Sequence, residues 1–151
     1  DTIARMNPDF FNLLEKAGVE RILVGVESGS QRILDLIDKG VTVERVIEAS
    51  RKVIGYEFAL HYMFMMGLPT ETPDEIAKSV KLARMFLNEN SRATKSFNIY
   101  VPYPGTQLFD LTLRMGHIPP GSLEDWAPLN YRNVHGNAAW ISPETKRLNN
   151  F

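Results

Sequence analysis

Three short stretches carry residue types that can bind a ligand: Glu27-Ser28-Gly29-Ser30, Gly67-Leu68-Pro69-Thr70-Glu71 and Pro102-Tyr103-Pro104-Gly105. Each is rich in glycine or proline. Glycine lets backbone approach a bound group closely, and free amides at the start of a helix can hold a carboxylate. Other chemistries are closed to these residues. The chain has no cysteine, which removes disulfides, thiolate metal sites and cysteine nucleophiles. Its three histidines, His61, His117 and His135, lie far apart and show no short metal-ligand spacing.

The elements that must position these stretches can be read from periodicity and caps. Asn7-Pro8-Asp9 starts a helix, with a capping side chain, proline at the first helical position and an acid near the positive helix end. Phe10, Leu13, Leu14 and Ala17 give it an apolar face, and Gly18 stops it. Residues 21–26 form a short, nearly continuous apolar run, as a strand buried on both faces does. A short helix over 31–37 and a second over 42–54 follow, then a second buried strand over 58–66. Thr72-Pro73-Asp74-Glu75 combines a capping box with an early proline and opens a long helix. A third strand is expected over 97–101, and Thr106 caps a helix reaching Met115.

Helices alternating with apolar strands predict an α/β fold with a parallel sheet covered by helices. In such sheets ligands lie beyond the carboxyl ends of the strands, which is where all three stretches fall. After Gly116 the texture becomes irregular, with Pro119-Pro120-Gly121, Trp126, Pro128 and Trp140, until Ser142-Pro143-Glu144 starts a last helix. The formal net charge of −1 implies no global attraction to nucleic acid or membrane. No apolar run approaches the ~20 residues of a membrane-spanning helix. The expected location is the cytoplasm.

The same stretches resemble a known family. Gly25-Val26-Glu27-Ser28-Gly29-Ser30, Met65-Met66-Gly67-Leu68-Pro69-Thr70-Glu71-Thr72 and Tyr103-Pro104-Gly105-Thr106 look like the G(I/V)ESGS, (I/L)GLPGET and PYPGT segments of radical S-adenosylmethionine (radical SAM) proteins, in the same order. The resemblance runs from about Asn7 to Met115. It implies strands four to six of a TIM-like (β/α)6 barrel, with residues 1–116 as the carboxyl-terminal half of the barrel and 117–151 as a post-barrel linker and terminal helix. By position it implies that Glu27 contacts the ribose hydroxyls of SAM and Ser28 its methionine part. Met65 and Gly67 would line the adenine side, and Val101 and Pro102 would pack near adenine. A carboxylate suits a ribose diol because it accepts two hydrogen bonds.

The resemblance also implies a [4Fe-4S] cluster that reduces SAM to a 5′-deoxyadenosyl radical, held by a CxxxCxxC run. This chain departs from the pattern, because it has no cysteine. The expectation is therefore a fragment whose partner is the missing amino-terminal half of the same polypeptide, inactive alone and served by an electron donor such as flavodoxin or ferredoxin. The tail resembles the segment after the barrel in cobalamin-dependent members, which implies cobalamin and the methylation of unreactive carbons or ring closure. The substrate itself is not named by any motif.

Plainer roles stand beside these. Glu27 could be a salt-bridged structural acid, and Ser28 fits a capping box with Gln31. Gly67, Pro69 and Gly105 could be turn residues, and Met63, Met65 and Met66 core filler. His61 shares a strand face with Met63 and Met65; it either meets a local partner or faces the lumen and touches substrate. Tyr103 is a packing residue with a hydroxyl handle or a second substrate contact. His117 and His135 read as loop residues, solvated or hydrogen-bonded. A non-catalytic half-barrel assembly module competes with the enzyme. An aldolase-like barrel is disfavoured, since none of the three strand ends supplies a lysine. An open edge at residues 21–26 is expected to make the isolated piece dimerise or aggregate.

Overall fold

The computed structural model describes residues 7–127, 129 and 138–148. Its elements run α1 (Pro8–Lys16), β1 (Arg21–Glu27), α2 (Gln31–Leu36), α3 (Val43–Lys52), β2 (Ala59–Met66), α4 (Pro73–Glu89), β3 (Thr94–Ile99), α5 (Gln107–Arg114), α6 (Leu123–Trp126) and α7 (Pro143–Leu148). The strands form a parallel sheet in the order β1-β2-β3. His135 and Pro128 lie outside the described residues.

Local chemistry sets the helix starts. Asn7 accepts from the Phe10 amide at 2.9 Å, and Thr42 and Thr106 accept from Arg45 and Phe109 at 3.2 and 3.3 Å. Thr72 and Glu75 close the reciprocal capping box expected of their spacing. The strands then alternate. Ile22, Val24 and Val26 of β1, Leu60, Tyr62 and Phe64 of β2, and Phe97 of β3 pack against the helices in one apolar cluster with Phe11, Leu82 and Phe86. A second cluster caps the carboxyl ends of the strands and unites Ile33, Leu68, Tyr100 and Val101 with Ala138, Trp140 and Ile141 of the tail.

The structure departs from the sequence expectation at several points. β3 begins at Thr94 rather than Phe97 and stops at Ile99. Its polar first half reads as loop, yet Thr94 and Ser96 pair in register with His61 and Met63. Beyond Tyr100, whose amide still donates to the Met66 carbonyl at 2.9 Å, Pro102 has no amide to extend the ladder. β1 is buried on one face only: Leu23 is 62% exposed, on a face that no described residue covers. Ser28 does not cap α2. The N-cap is Ser30, and Gln31 bonds Asp35 and the Val43 amide instead. His117 is buried rather than solvated.

The helix-covered core yields a direct expectation. Phe86 is fully buried and its ring stacks on Tyr62 with centroids 4.3 Å apart. Phe86→Ala is expected to lower the unfolding free energy by about 4 kcal/mol in a urea titration. A loss below about 1 kcal/mol would mean that this cluster is not close-packed.

Candidate functional site

At the end of β1 the pairing with β2 slips between Gly25 and Glu27. Glu27 takes a left-handed backbone, with φ at 66°. Its carboxylate folds back over Gly25: a Cβ at residue 25 would lie 2.6 Å from Glu27 Oε1 and 3.1 Å from Lys39 Nζ. Glycine at this point therefore makes room for an ion pair. Lys39 Nζ donates to Glu27 Oε1 at 2.8 Å, and both side chains are partly open to solvent.

The turn that follows is anchored to α4. Ser28 is fully buried, with its hydroxyl 3.2 Å from the Ser79 hydroxyl. The Gly29 amide donates to Ser79 Oγ at 2.8 Å. A Cβ at residue 29 would meet the Lys78 carbonyl at 2.7 Å, so glycine is required for this approach. Ser30 and Arg32 both reach Glu75. Oε1 of Glu75 accepts from Ser30 Oγ and Arg32 Nε, each at 2.8 Å. Its Oε2 accepts from Arg32 Nη2 at 2.6 Å and from the Thr72 amide and hydroxyl at 3.0 and 2.9 Å. The Arg32 guanidinium, helped by these other donors, holds Glu75 down at about 2 against the opposing effect of burial. Arg32 also donates to the Thr70 carbonyl and hydroxyl, so one ion pair ties both rim turns together.

Glu71 is built differently. Its Oε2 accepts from the Gly67 amide at 2.7 Å and the Leu68 amide at 3.3 Å, while Oε1 is buried without a partner. Burial pushes this carboxyl up to about 7, against the pull of the two amides.

Beyond β2 and β3 lies a cleft of about 660 Å³. Met65, Ile99, Val101 and Leu108 make it largely apolar, with Leu36 and Ile37 from the end of α2 opposite. Asp38, Asn98, Tyr103 and Gln107 place polar groups along it. Asp38 precedes Lys39, so the cleft lies one residue along the chain from the Glu27 ion pair.

Of the residues singled out in the sequence, Met65, Val101 and Tyr103 line this cleft. Pro102 is buried beside Val101. Gly67 does not line the cleft and sits against Ile141. The Ser28 hydroxyl is turned to Ser79. His61 sits in the first half of β2, with Nδ1 2.8 Å from Thr94 Oγ1 and Nε2 3.1 Å from Ser96 Oγ. Tyr103 is 54% exposed and stacks on Trp126. Sequence reasoning did not single out Lys39, Asp38 or Asn98. It found Glu75 only as a cap. Among the described residues no group of three acids or histidines could hold a metal ion, and no helix is long and apolar enough to cross a membrane.

A parallel sheet alternating with helices, its cleft and charged turns at the strand carboxyl ends, defines an α/β fold. The family follows from comparison: residues 1–83 match the model of the radical SAM superfamily, and the chain belongs to it. It is similar to an uncharacterized methyltransferase of Pyrococcus horikoshii, with 32% identity over 66% of this chain and 21% of the relative. Bacteriochlorophyllide d C-8(2)-methyltransferase of Chlorobaculum tepidum shares 30% identity over 82% of this chain and 26% of its own length. Anaerobic magnesium-protoporphyrin IX monomethyl ester cyclase of Rubrivivax gelatinosus shares 27% over 64% and 17%. The chain thus spans about a quarter or less of the curated relatives it matches.

Glu71 makes the rim sensitive to pH. A carboxyl that titrates near 4.5 in the unfolded chain and near 7 in the fold binds its proton more tightly when folded. Its stabilising contribution is full below about pH 4.5 and is lost as pH rises through about 7. Glu71→Gln is expected to flatten that slope and to gain on the order of 2 kcal/mol at pH 8 in chemical unfolding. An unchanged slope in the variant would place the proton on another group.

Proposed function

We propose that this chain is one part of a longer radical SAM enzyme and supplies half of its SAM site. The observation that carries the reading is the largely apolar cleft at the strand carboxyl ends, whose lining residue Asp38 is next in sequence to Lys39 of the Glu27–Lys39 pair, in a chain of this family. The cleft is roomy enough for a nucleoside, and its apolar walls with a few polar groups suit a base.

In this reading β1, β2 and β3 are strands four to six of the barrel. Residues 1–116 form its carboxyl-terminal half, and 117–151 follow it. Glu27 accepts the two ribose hydroxyls, and its left-handed backbone aims the carboxylate back over Gly25. Lys39 then offers its ammonium group to the amino-acid carboxylate of SAM. Ser28 serves the methionine part through the Gly29-Ser30 turn that its hydroxyl holds. Met65 and Val101 face the adenine, with Gly67 and Pro102 supporting them. Tyr103 and His61 lie on the substrate side.

The residues present fit SAM but not an iron–sulfur cluster, since none of the 151 residues is a cysteine. The cluster belongs to another part of the polypeptide, supported by the small share of its relatives that this chain covers. In this family the cluster supplies the electron that releases a 5′-deoxyadenosyl radical from SAM. A flavodoxin or ferredoxin is the electron source in this reading, and the cytoplasm the location. The relatives' names support methyl transfer or ring closure on an unidentified substrate. The resemblance of the tail to cobalamin-dependent members supports cobalamin as a second cofactor, held outside the described residues. The absence of cysteine keeps one rival in view: a non-catalytic assembly module.

The full-length protein, purified without oxygen and with its cluster reconstituted, is expected to form 5′-deoxyadenosine from SAM and a strong reductant. Glu27→Ala is expected to lower that product at least about tenfold, the cost of losing charged hydrogen bonds to a ligand. No product from a protein with a verified cluster would favour the assembly module.

The 151-residue chain alone leaves β1 without a neighbour on one side among the described residues. It is expected to associate through that edge, eluting from a sizing column as a dimer or larger. A stable, folded monomer would count against the half-barrel reading.

A further inference from the structure

Gly67 is gripped on both sides of its backbone. Its amide donates to Glu71, four residues away, and its carbonyl accepts from the indole Nε1 of Trp140 at 2.8 Å, 73 residues away. Its φ of +71° is one that glycine adopts freely. A Cβ there would lie 2.7 Å from Ile141 Cδ1, so the tail fills the space a side chain would take. Trp140 is 2% exposed. Its ring meets Tyr100 edge-on at 6.2 Å and His117 edge-on at 4.8 Å. Tyr100 lines the cleft, and its amide continues the ladder to Met66. One indole thus touches the chain just past β2 and the chain just past β3.

We propose that Trp140 is a positioning residue of the cleft: it sets the spacing between the carboxyl ends of β2 and β3 through Gly67 and Tyr100, and the tail is therefore part of the ligand site. This rests on the reading of the cleft as the SAM site. Two features separate the role from ordinary core packing. The contact is a directed hydrogen bond to a backbone carbonyl at the rim, where a fixed peptide orientation decides what the cleft presents. The wall it supports is also the one that carries the adenine-side residues Met65 and Val101.

The test is made on the full-length protein by equilibrium titration with SAM, at a temperature where each variant is more than nine-tenths folded by circular dichroism. Trp140→Phe keeps most of the ring packing and removes the N–H donor. It leaves the Gly67 carbonyl buried without its donor; through the resulting shift of that peptide it is expected to weaken SAM binding about tenfold and to raise KM while kcat at saturating SAM stays near wild type. Replacing Trp140 with benzothienylalanine, which keeps the ring shape but has sulfur in place of the N–H, is expected to weaken SAM by the same factor and decides the matter if Trp140→Phe does not fold. Wild-type SAM affinity in the folded variants would overturn the role given to Trp140 and leave the SAM site standing. A wild-type protein that binds no SAM would overturn both.

Discussion

The rim depends on one buried carboxylate. Glu75 is 6% exposed, yet it is held ionised by Arg32, with Ser30 from the same turn after β1 and Thr72 at the start of its own helix. Taking a charge out of water costs several kcal/mol unless every lone pair is met. Here five hydrogen bonds meet them, from Ser30, Arg32 and Thr72. Arg32 and Ser30 follow β1, while Thr70 and Thr72 follow β2. The same interaction that starts α4 therefore fixes two turns that no backbone pairing joins. A neutral residue at position 75 could still cap the helix but could not draw Arg32 across to it.

Close approach is the second constraint, and glycine meets it in three ways. At Gly25 the missing side chain leaves space for the Glu27–Lys39 pair. At Gly29 it lets the turn touch the backbone of α4. At Gly67 it admits Ile141 and the positive φ together. Two of these contacts are made with chain far away in sequence, so the turns are shaped by what packs against them as much as by their own residues.

This explains what was legible in the sequence. Asn7-Pro8, the Thr72-Glu75 box and Thr106 announced their helices because a cap is decided within four residues. The order of strands and helices followed from apolar periodicity, and the three stretches rich in glycine or proline follow the strands. Long-range choices were not readable. Ser28 looked like a cap for α2, but its hydroxyl found Ser79, 51 residues on. Nothing in the sequence singled out Lys39, whose partner Glu27 is 12 residues away. Trp140 gave no sign that its partner would be a glycine carbonyl. The start of β3 was missed because Thr94 and Ser96 are polar, and only pairing with β2 makes them strand.

The uncovered face of the sheet gives those polar residues a reason to be there. It carries Leu23 from β1, His61, Met63 and Met65 from β2, and Thr94, Ser96 and Asn98 from β3. A sheet face built for water would not present Leu23 and a row of methionines, and one built only for a core would not present a histidine bonded to two hydroxyls. The face mixes apolar and hydrogen-bonding groups and runs into the cleft at the strand ends through Met65 and Asn98. On the other face, by contrast, the helices bury an apolar cluster against the strands. That asymmetry leaves one face of the sheet free to carry polar groups while the packed side keeps the strands, and so the rim turns, in place.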